Sequence, residues 1–226
     1  LLHSLIKDSD SPFLFEKIGT RLNNIMIDEF QDTSTVQWQN FKVLLEECMS
    51  HGTEQGNLIV GDVKQSIYRW RSSDWRMLNN IEREFPTMRS MLNVQSLDTN
   101  YRSSRRVINF NNAFFTQAAE IEYKDLTTGD VLQDEKTNNS AEQLKKAYSD
   151  VEQNVPDFRK QTGYVSVELL PQEDYLEQTL QKTADAVREL LEAGAESSDI
   201  AIIVRSNSTI QQLAEYFAEV MPDVRI

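Results

Sequence analysis

Cysteine, histidine, glycine and proline are all scarce in this 226-residue chain. The lone cysteine, Cys48, excludes an internal disulfide and any metal site built from several thiolates. Two histidines, His3 and His51, exclude a histidine-rich metal cage. Seven glycines are present, and no Gly-Lys-Ser or Gly-Lys-Thr occurs, so these residues hold no glycine loop of the kind that cradles nucleotide phosphates. No apolar run approaches the roughly 18 residues that a membrane-spanning helix needs. The first ten residues, LLHSLIKDSD, lack the basic-then-apolar order of a secretory leader. The chain opens on Leu1 rather than Met, which is expected of a piece of something larger.

What remains is an ordinary globular composition, with 39% hydrophobic and 26% charged side chains, enough for one large domain or two small ones. The formal charge is −13, from 23 basic and 36 acidic side chains, which taken alone argues against a nucleic-acid binder. Its distribution changes that reading. Residues 1–120 hold 13 basic and 15 acidic side chains, net −2; residues 121–160 hold 6 and 9, net −3; residues 161–226 hold 4 and 12, net −8. The first part also contains two basic clusters, Lys64 to Arg76 and Arg102 to Arg106.

Short apolar runs alternate with helical patterns. Residues 24–27 and 58–60 read as buried parallel strands, each ending in polar residues. Strands are also expected over 94–99, 164–170 and 200–204, with another starting at Val224. Residues 12–24 read as a short amphipathic helix or turn, and helices are expected over 34–49, 74–84, 103–119, 174–193 and 208–220, that over 174–193 stopped by Gly194. Residues 120–160 change character. The turn Thr127-Thr128-Gly129-Asp130 and the polar run 134–140 mark an insertion or linker, mobile in part and helical near 141–149. The fold class expected is α/β with largely parallel sheets.

Three strings carry chemistry. In Ile27-Asp28-Glu29-Phe30-Gln31-Asp32-Thr33-Ser34, two adjacent carboxylates follow a buried strand, where α/β sheets bind ligands. One can hold Mg²⁺ while the other polarises an attacking water; a bare Asp-Glu pair is also what a solvated acidic turn looks like. In Gly61-Asp62-Val63-Lys64-Gln65-Ser66-Ile67-Tyr68-Arg69-Trp70-Arg71, Gln65 can sense a terminal phosphate or position water. Trp70 between two arginines suits base stacking on an unpaired strand. As an isolated pair, Tyr68 and Trp70 equally fit the core face of a following helix. In Asn100-Tyr101-Arg102-Ser103-Ser104, Tyr101 can stack on a purine and Arg102 can reach a phosphate, while a helix cap by Ser103 is the plainer account.

Taken together, IDEFQDTS, GDVKQSIYRW and NYRSS, in this order, resemble the second, third and fourth motifs of the UvrD/Rep/PcrA group of superfamily 1 DNA helicases. Glu16-Lys17-Ile18-Gly19, Phe30 and Asp62-Val63-Lys64 are similar to its RecB/AddA (exodeoxyribonuclease V beta-like) branch. The resemblance is tight over residues 12–115 and looser over 160–226. It implies a RecA-like fold, with residues 1–115 the C-terminal half of a first RecA-like domain, 116–160 an insertion or linker, and 161–226 the start of a second. It also implies roles. Asp28, with Glu29, holds the Mg²⁺ of Mg-ATP, and Glu29 activates water. Gln65 couples the γ-phosphate to the DNA track. Tyr68, Trp70 and Arg71 lie on the single-strand path. Tyr101 stacks on adenine, and Arg102 contacts the γ-phosphate. Gln31 and Asp32 link the acidic motif to its neighbours. The implied activity is ATP-dependent movement on DNA, single- or double-stranded, in repair and recombination, in the cytoplasm, alongside a second helicase-nuclease subunit.

The absent phosphate loop limits that implication. The expectation is a middle piece of a larger motor, inactive by itself. Two other readings stand beside it: a helicase-like scaffold without catalysis, and an acidic docking domain built on the net −8 of residues 161–226.

Overall fold

The computed structural model describes residues 22–50, 56–128, 135–159 and 162–224. Two compact units emerge, Leu1–Val165 and Ser166–Ile226. The expected helix over 12–24 lies almost wholly outside the described residues, as does most of the loop 51–57.

The first unit is organised by two short parallel strands, β1 (Met26–Ile27) and β2 (Leu58–Ile59), paired Met26 to Leu58 and Ile27 to Ile59. The backbone pairing runs on beyond them. Leu58 N–H donates to Ile25 O at 3.0 Å, Val60 N–H to Ile27 O at 2.8 Å, and Phe30 N–H to Val60 O at 3.0 Å. The chain leaves both strands at their C-terminal ends, so the acidic string and the Gln65 string start side by side.

Between the strands runs α1 (Thr35–Ser50), the crossover that a parallel pair requires. It buries Trp38, Leu45 and Cys48. Val36 and Phe41, which share its helical apolar spacing, are 58% and 45% exposed. The core is aromatic. Phe30 meets Trp38 edge-on at 4.8 Å, and Trp38 meets Phe85 edge-on at 5.7 Å. Edge-to-face pairing sets positive ring edges against negative ring faces, which favours this arrangement over a sandwich. The Trp38 indole N–H donates to Glu84 Oε2 at 2.7 Å, so its one polar atom is satisfied.

The helix expected over 74–84 forms as two single turns, α2 (Arg76–Asn79) and α3 (Ile81–Glu84), broken at Asn80, whose φ and ψ are −126° and 35°. Phe85 precedes Pro86, and the proline ring keeps Phe85 out of the helical region. Next comes α4 (Arg105–Thr128), longer than expected, so Thr127 and Thr128 are helical rather than in a turn. Of its apolar side chains only Ile108 is fully buried; Phe114 and Phe115 are 52% and 41% exposed. Within the stretch expected as an insertion, α5 (Glu135–Ala147) packs on α4 and α2. Gln143 Oε1 accepts from Asn79 Nδ2 at 2.9 Å and from Asn80 Nδ2 at 2.7 Å. The Lys146 ammonium donates to Asn79 O.

The second unit contains α6 (Tyr175–Glu192) and α7 (Asn207–Val220). They enclose Ala184, Val187, Leu213 and Phe217, with Ile200, Ile202 and Val204 against them. Gly194 ends α6 with φ of 96°, the left-handed conformation expected after a helix.

The stretches 94–99, 164–170 and 200–204, expected as strands, form no ladder among the described residues. The one pairing there is an isolated parallel bridge from Thr99 to Asn154. An apolar run becomes a strand only when a neighbour takes up its N–H and C=O groups. The architecture is therefore mixed and mainly helical, with one small parallel sheet, compatible with an incomplete α/β domain.

Trp38 sits between both aromatic partners, so its loss should leave a large cavity. Trp38→Ala is expected to lower the unfolding free energy by about 3–5 kcal/mol, and Trp38→Phe by about 1–2 kcal/mol through loss of volume and of the Glu84 bond. Urea denaturation of the chain measures both.

Candidate functional site

The acidic string leaves β1 through an unusual backbone. Glu29 has φ of 51° and ψ of 40°, the left-handed region, and then enters the 3-10 turn Phe30–Asp32. For a non-glycine residue that conformation costs of order 1–3 kcal/mol and persists only where the surroundings impose it. The imposing contacts are visible. Phe30 is anchored in the aromatic core, and its N–H is held by Val60 O. The Glu29 N–H donates to Asp28 Oδ1 at 2.8 Å. Both carboxylates are thereby presented at the surface.

Gln31 carries the connection to the second string. It is 1% exposed. Its Nε2 donates to Glu29 Oε2 at 2.6 Å, and its Oε1 accepts from the Asp62 N–H at 3.1 Å. Ser66 Oγ donates to Gln31 O at 3.4 Å. Asp62 Oδ2 in turn accepts from Gln65 Nε2 at 3.1 Å. A chain of hydrogen bonds thus runs from Glu29 through Gln31 and Asp62 to Gln65. Gly61 makes room for it. A Cβ there would lie 2.6 Å from Gln31 Oε1, 2.9 Å from Leu78 Cδ2 and 3.1 Å from Phe30 N.

Lys64 is a hub that reading by residue type passed over. Its ammonium lies 2.9 Å from Asp62 Oδ1 and 3.3 Å from Asp150 Oδ1. Burial opposes ionisation of Asp62, yet hydrogen bonds from Lys64 and Gln65, with the Lys64 charge, hold its carboxyl below the usual carboxylate value. Burial likewise opposes the Lys64 charge, and Asp62 and Asp150 hold its ammonium above the usual lysine value.

Tyr68, Trp70 and Arg71 are not core residues. They lie on and beside an exposed 3-10 turn, Arg69–Arg71, and Trp70 is 72% exposed. The Arg71 guanidinium sits 4.5 Å from the Trp70 ring centroid and 5.4 Å from that of Tyr68. The two rings are 6.3 Å apart and tilted by 58°. Aromatic faces exposed beside a cation suit an anionic ligand with flat bases.

Tyr101 and Arg102 are both exposed. Asn100 Oδ1 fixes the turn ahead of α4, accepting from the N–H groups of Arg102 and Ser103 at 2.9 Å each. Tyr101 stacks against Phe158 at 6.5 Å. Their loop is joined to the Lys64 loop through residues 150–154: Ser96 Oγ donates to Asp150 Oδ2 at 2.8 Å, and Asn154 Nδ2 to Asp98 Oδ2 at 2.8 Å. These partners were invisible from the motifs because they lie some 50 residues downstream.

The carboxylates fit a magnesium ion. Among the described residues, Asp28 Oδ2 and Glu29 Oε1 take no hydrogen bond, and no three His, Cys, Asp or Glu side chains gather into a cage. Magnesium is usually bound by one or two carboxylates together with waters and substrate phosphates, which is this donor set.

Two outcomes follow from the hydrogen-bond chain. Gly61→Ala is expected to push Gln31 off the Asp62 N–H and to lower stability by about 1–3 kcal/mol, read from urea midpoints, because buried Gln31 has no solvent to swing into. The Asp62–Lys64 pair sets a pH window. A depressed carboxyl stabilises the fold above its unfolded pKa, about 3.9, and that stabilisation is lost as pH falls through its folded value; a raised ammonium stabilises below about 10.4, and that is lost as pH rises through its folded value. The penalty of Asp62→Asn should therefore be constant between these limits and shrink outside them, as urea midpoints across the pH range would record.

Comparison with known proteins bears on the same strings. The family model described as the UvrD/REP helicase N-terminal domain matches residues 1–86. The exonuclease/helicase subunit RexA of Lactococcus lactis subsp. cremoris is 26% identical over 220 residues, covering 91% of this chain and 16% of its own length. The ATP-dependent DNA helicase UvrD1 of Mycobacterium tuberculosis is 30% identical over 118 residues, 52% of this chain and 15% of its own. The RecBCD enzyme subunit RecB of Chlamydia trachomatis is 33% identical over 115 residues, 51% of this chain and 10% of its own. The chain thus spans about a sixth or less of these relatives. Residues 1–86 thus match the UvrD/REP helicase N-terminal domain, and over about half to most of its length the chain is homologous to UvrD helicases and RecB/AddA-type helicase-nucleases.

Proposed function

We propose that the chain is a middle segment of an ATP-dependent DNA translocase of the helicase-nuclease type, acting in repair and recombination. The observation that carries this is the hydrogen-bond chain Glu29–Gln31–Asp62–Gln65 at the C-terminal ends of β1 and β2. It ties a carboxylate suited to water activation to an amide suited to phosphate sensing. The exposed Trp70–Arg71 stack lies five residues further along the same loop.

In this reading residues 1–115 belong to a first RecA-like domain and 161–226 begin a second, with 116–160 inserted between them. Mg-ATP, when bound, supplies the phosphoanhydride whose hydrolysis drives movement. Asp28 holds the metal. Glu29 takes a proton from the attacking water. Gln65 and Arg102 sense the terminal phosphate, and Tyr101 orients the base. Gln31 transmits the state of the carboxylate pair to the Asp62–Gln65 loop, since it bonds both. That loop continues into Tyr68, Trp70 and Arg71, which grip unpaired bases and release them as the loop shifts. The substrate is DNA in the cytoplasm, and a second helicase-nuclease subunit is the expected partner. Likeness to proteins named as helicase/nuclease subunits supports that assignment.

Glu29→Gln in the full-length protein is expected to lower DNA-stimulated ATP hydrolysis about 10²–10⁴-fold, since it removes a general base. Trp70→Ala should weaken single-stranded DNA binding by about 1–3 kcal/mol, read by fluorescence anisotropy. An unchanged affinity would favour the acidic docking domain instead. The isolated chain, without a glycine phosphate loop, should hydrolyse ATP negligibly; robust steady-state turnover would overturn the view of it as an incomplete motor.

A further inference from the structure

Two loops carry the candidate site, residues 61–71 after β2 and residues 96–102 ahead of α4. Among the described residues, no hydrogen bond or ion pair passes directly between them. They meet through a segment that matches none of the motifs. Asn154 lies along the second loop: its N–H and Nδ2 donate to Asp98 O and Oδ2 at 2.6 and 2.8 Å, and its carbonyl accepts from the Asn100 N–H at 3.0 Å. Gln153 Oε1 accepts from Asn100 Nδ2 at 2.8 Å. Asp150, just upstream, reaches both loops. Its Oδ2 accepts from Ser96 Oγ at 2.8 Å, and its Oδ1 lies 3.3 Å from the Lys64 ammonium. Among the described residues, no other side chain outside the two loops bonds to both.

Neither charge balance nor burial accounts for that position. Lys64 already has Asp62 Oδ1 at 2.9 Å, so its charge is matched without Asp150. Two carboxylates against one ammonium leave a surplus of negative charge. The Asp150 side chain is 49% exposed, and an ion pair that open adds little to stability. What the carboxylate adds is a connection. Its two oxygens take partners on different loops, so a shift in one loop pulls on the other.

We propose that Asp150 is a positioning residue that couples the loop of Trp70 and Arg71 to the loop of Tyr101 and Arg102. It acts through Lys64 on one side and Ser96 on the other, without touching nucleotide or DNA. Losing its charge leaves each loop able to bind its ligand and removes the link by which a bound strand speeds hydrolysis. The inference rests on the reading of these loops as the DNA and nucleotide contacts.

The experiment measures ATP hydrolysis by the full-length protein with and without single-stranded DNA, for Asp150→Asn, Asp150→Ala, Lys64→Met and the double variant Asp150→Asn with Lys64→Met. Asp150→Ala is expected to lower the ratio of DNA-stimulated to DNA-free turnover about fivefold, and Asp150→Asn, which keeps the Ser96 bond, about threefold. The KM for ATP and the Kd for single-stranded DNA should each stay within about twofold, and urea midpoints should hold. In the Lys64→Met background, Asp150→Asn should lower the ratio no further, because the pair acts as one unit. A ratio left intact by Asp150→Ala, or an Asp150→Asn effect undiminished by Lys64→Met, would overturn the coupling role. So would a fall in ratio that tracks a lowered urea midpoint, since that is a defect of folding alone. If DNA fails to stimulate the unaltered protein, the reading of the two loops fails first, and this inference with it.

Discussion

The side chain of Gln31 is the constraint on which the site depends. It is fully buried, and an amide buried without partners is costly, so its donor and acceptor must both be used. The donor goes to Glu29 and the acceptor to the Asp62 N–H. These two bonds determine how the loop after β1 faces the loop after β2. Charge could not do this as well. Two carboxylates and a lysine at the same place would tolerate many arrangements, whereas an amide with one donor end and one acceptor end accepts few.

That amide works because the aromatic core beneath it is stiff. Phe30, next in sequence to Gln31, is pinned edge-on against Trp38 and hydrogen-bonded through its N–H to Val60. The strained backbone of Glu29 is the consequence. A short run must bury Phe30 and Gln31 while turning the Asp28 and Glu29 side chains outward, and only a left-handed residue between them reverses the direction quickly enough. Core packing, backbone strain and presentation of carboxylates are one event seen at three scales.

Much of this was legible in the residues. The polar ends of two short apolar runs marked where the candidate site would lie, and the structure sets those two ends side by side. The boundaries of α1, α6 and α7 followed from periodicity, and Gly194 marked a helix end. Less legible was which apolar side chains face inward. Phe41 and Val36 fit the helical spacing of α1 but remain exposed, since periodicity reports a face and not whether another element covers it. The strands expected over 94–99, 164–170 and 200–204 illustrate the same gap. Their composition suits a sheet, and no ladder forms there among the described residues, because pairing belongs to two segments and not to one.

By itself, the order of IDEFQDTS, GDVKQSIYRW and NYRSS pointed to the helicase relatives and supplied carboxylates, an amide, arginines and aromatics for a candidate site. Chemistry of that kind is local, and a short string carries it whole. Only the tertiary structure decided who holds whom. It placed Trp70 in the open with Arg71 over its face, made Asn100 fix the turn before α4, and brought Asp150, Asn154 and Phe158 against motif residues about 55 to 85 positions earlier. Such contacts depend on how the intervening helices α4 and α5 fold back, a path summed over dozens of residues, so no local pattern encodes them.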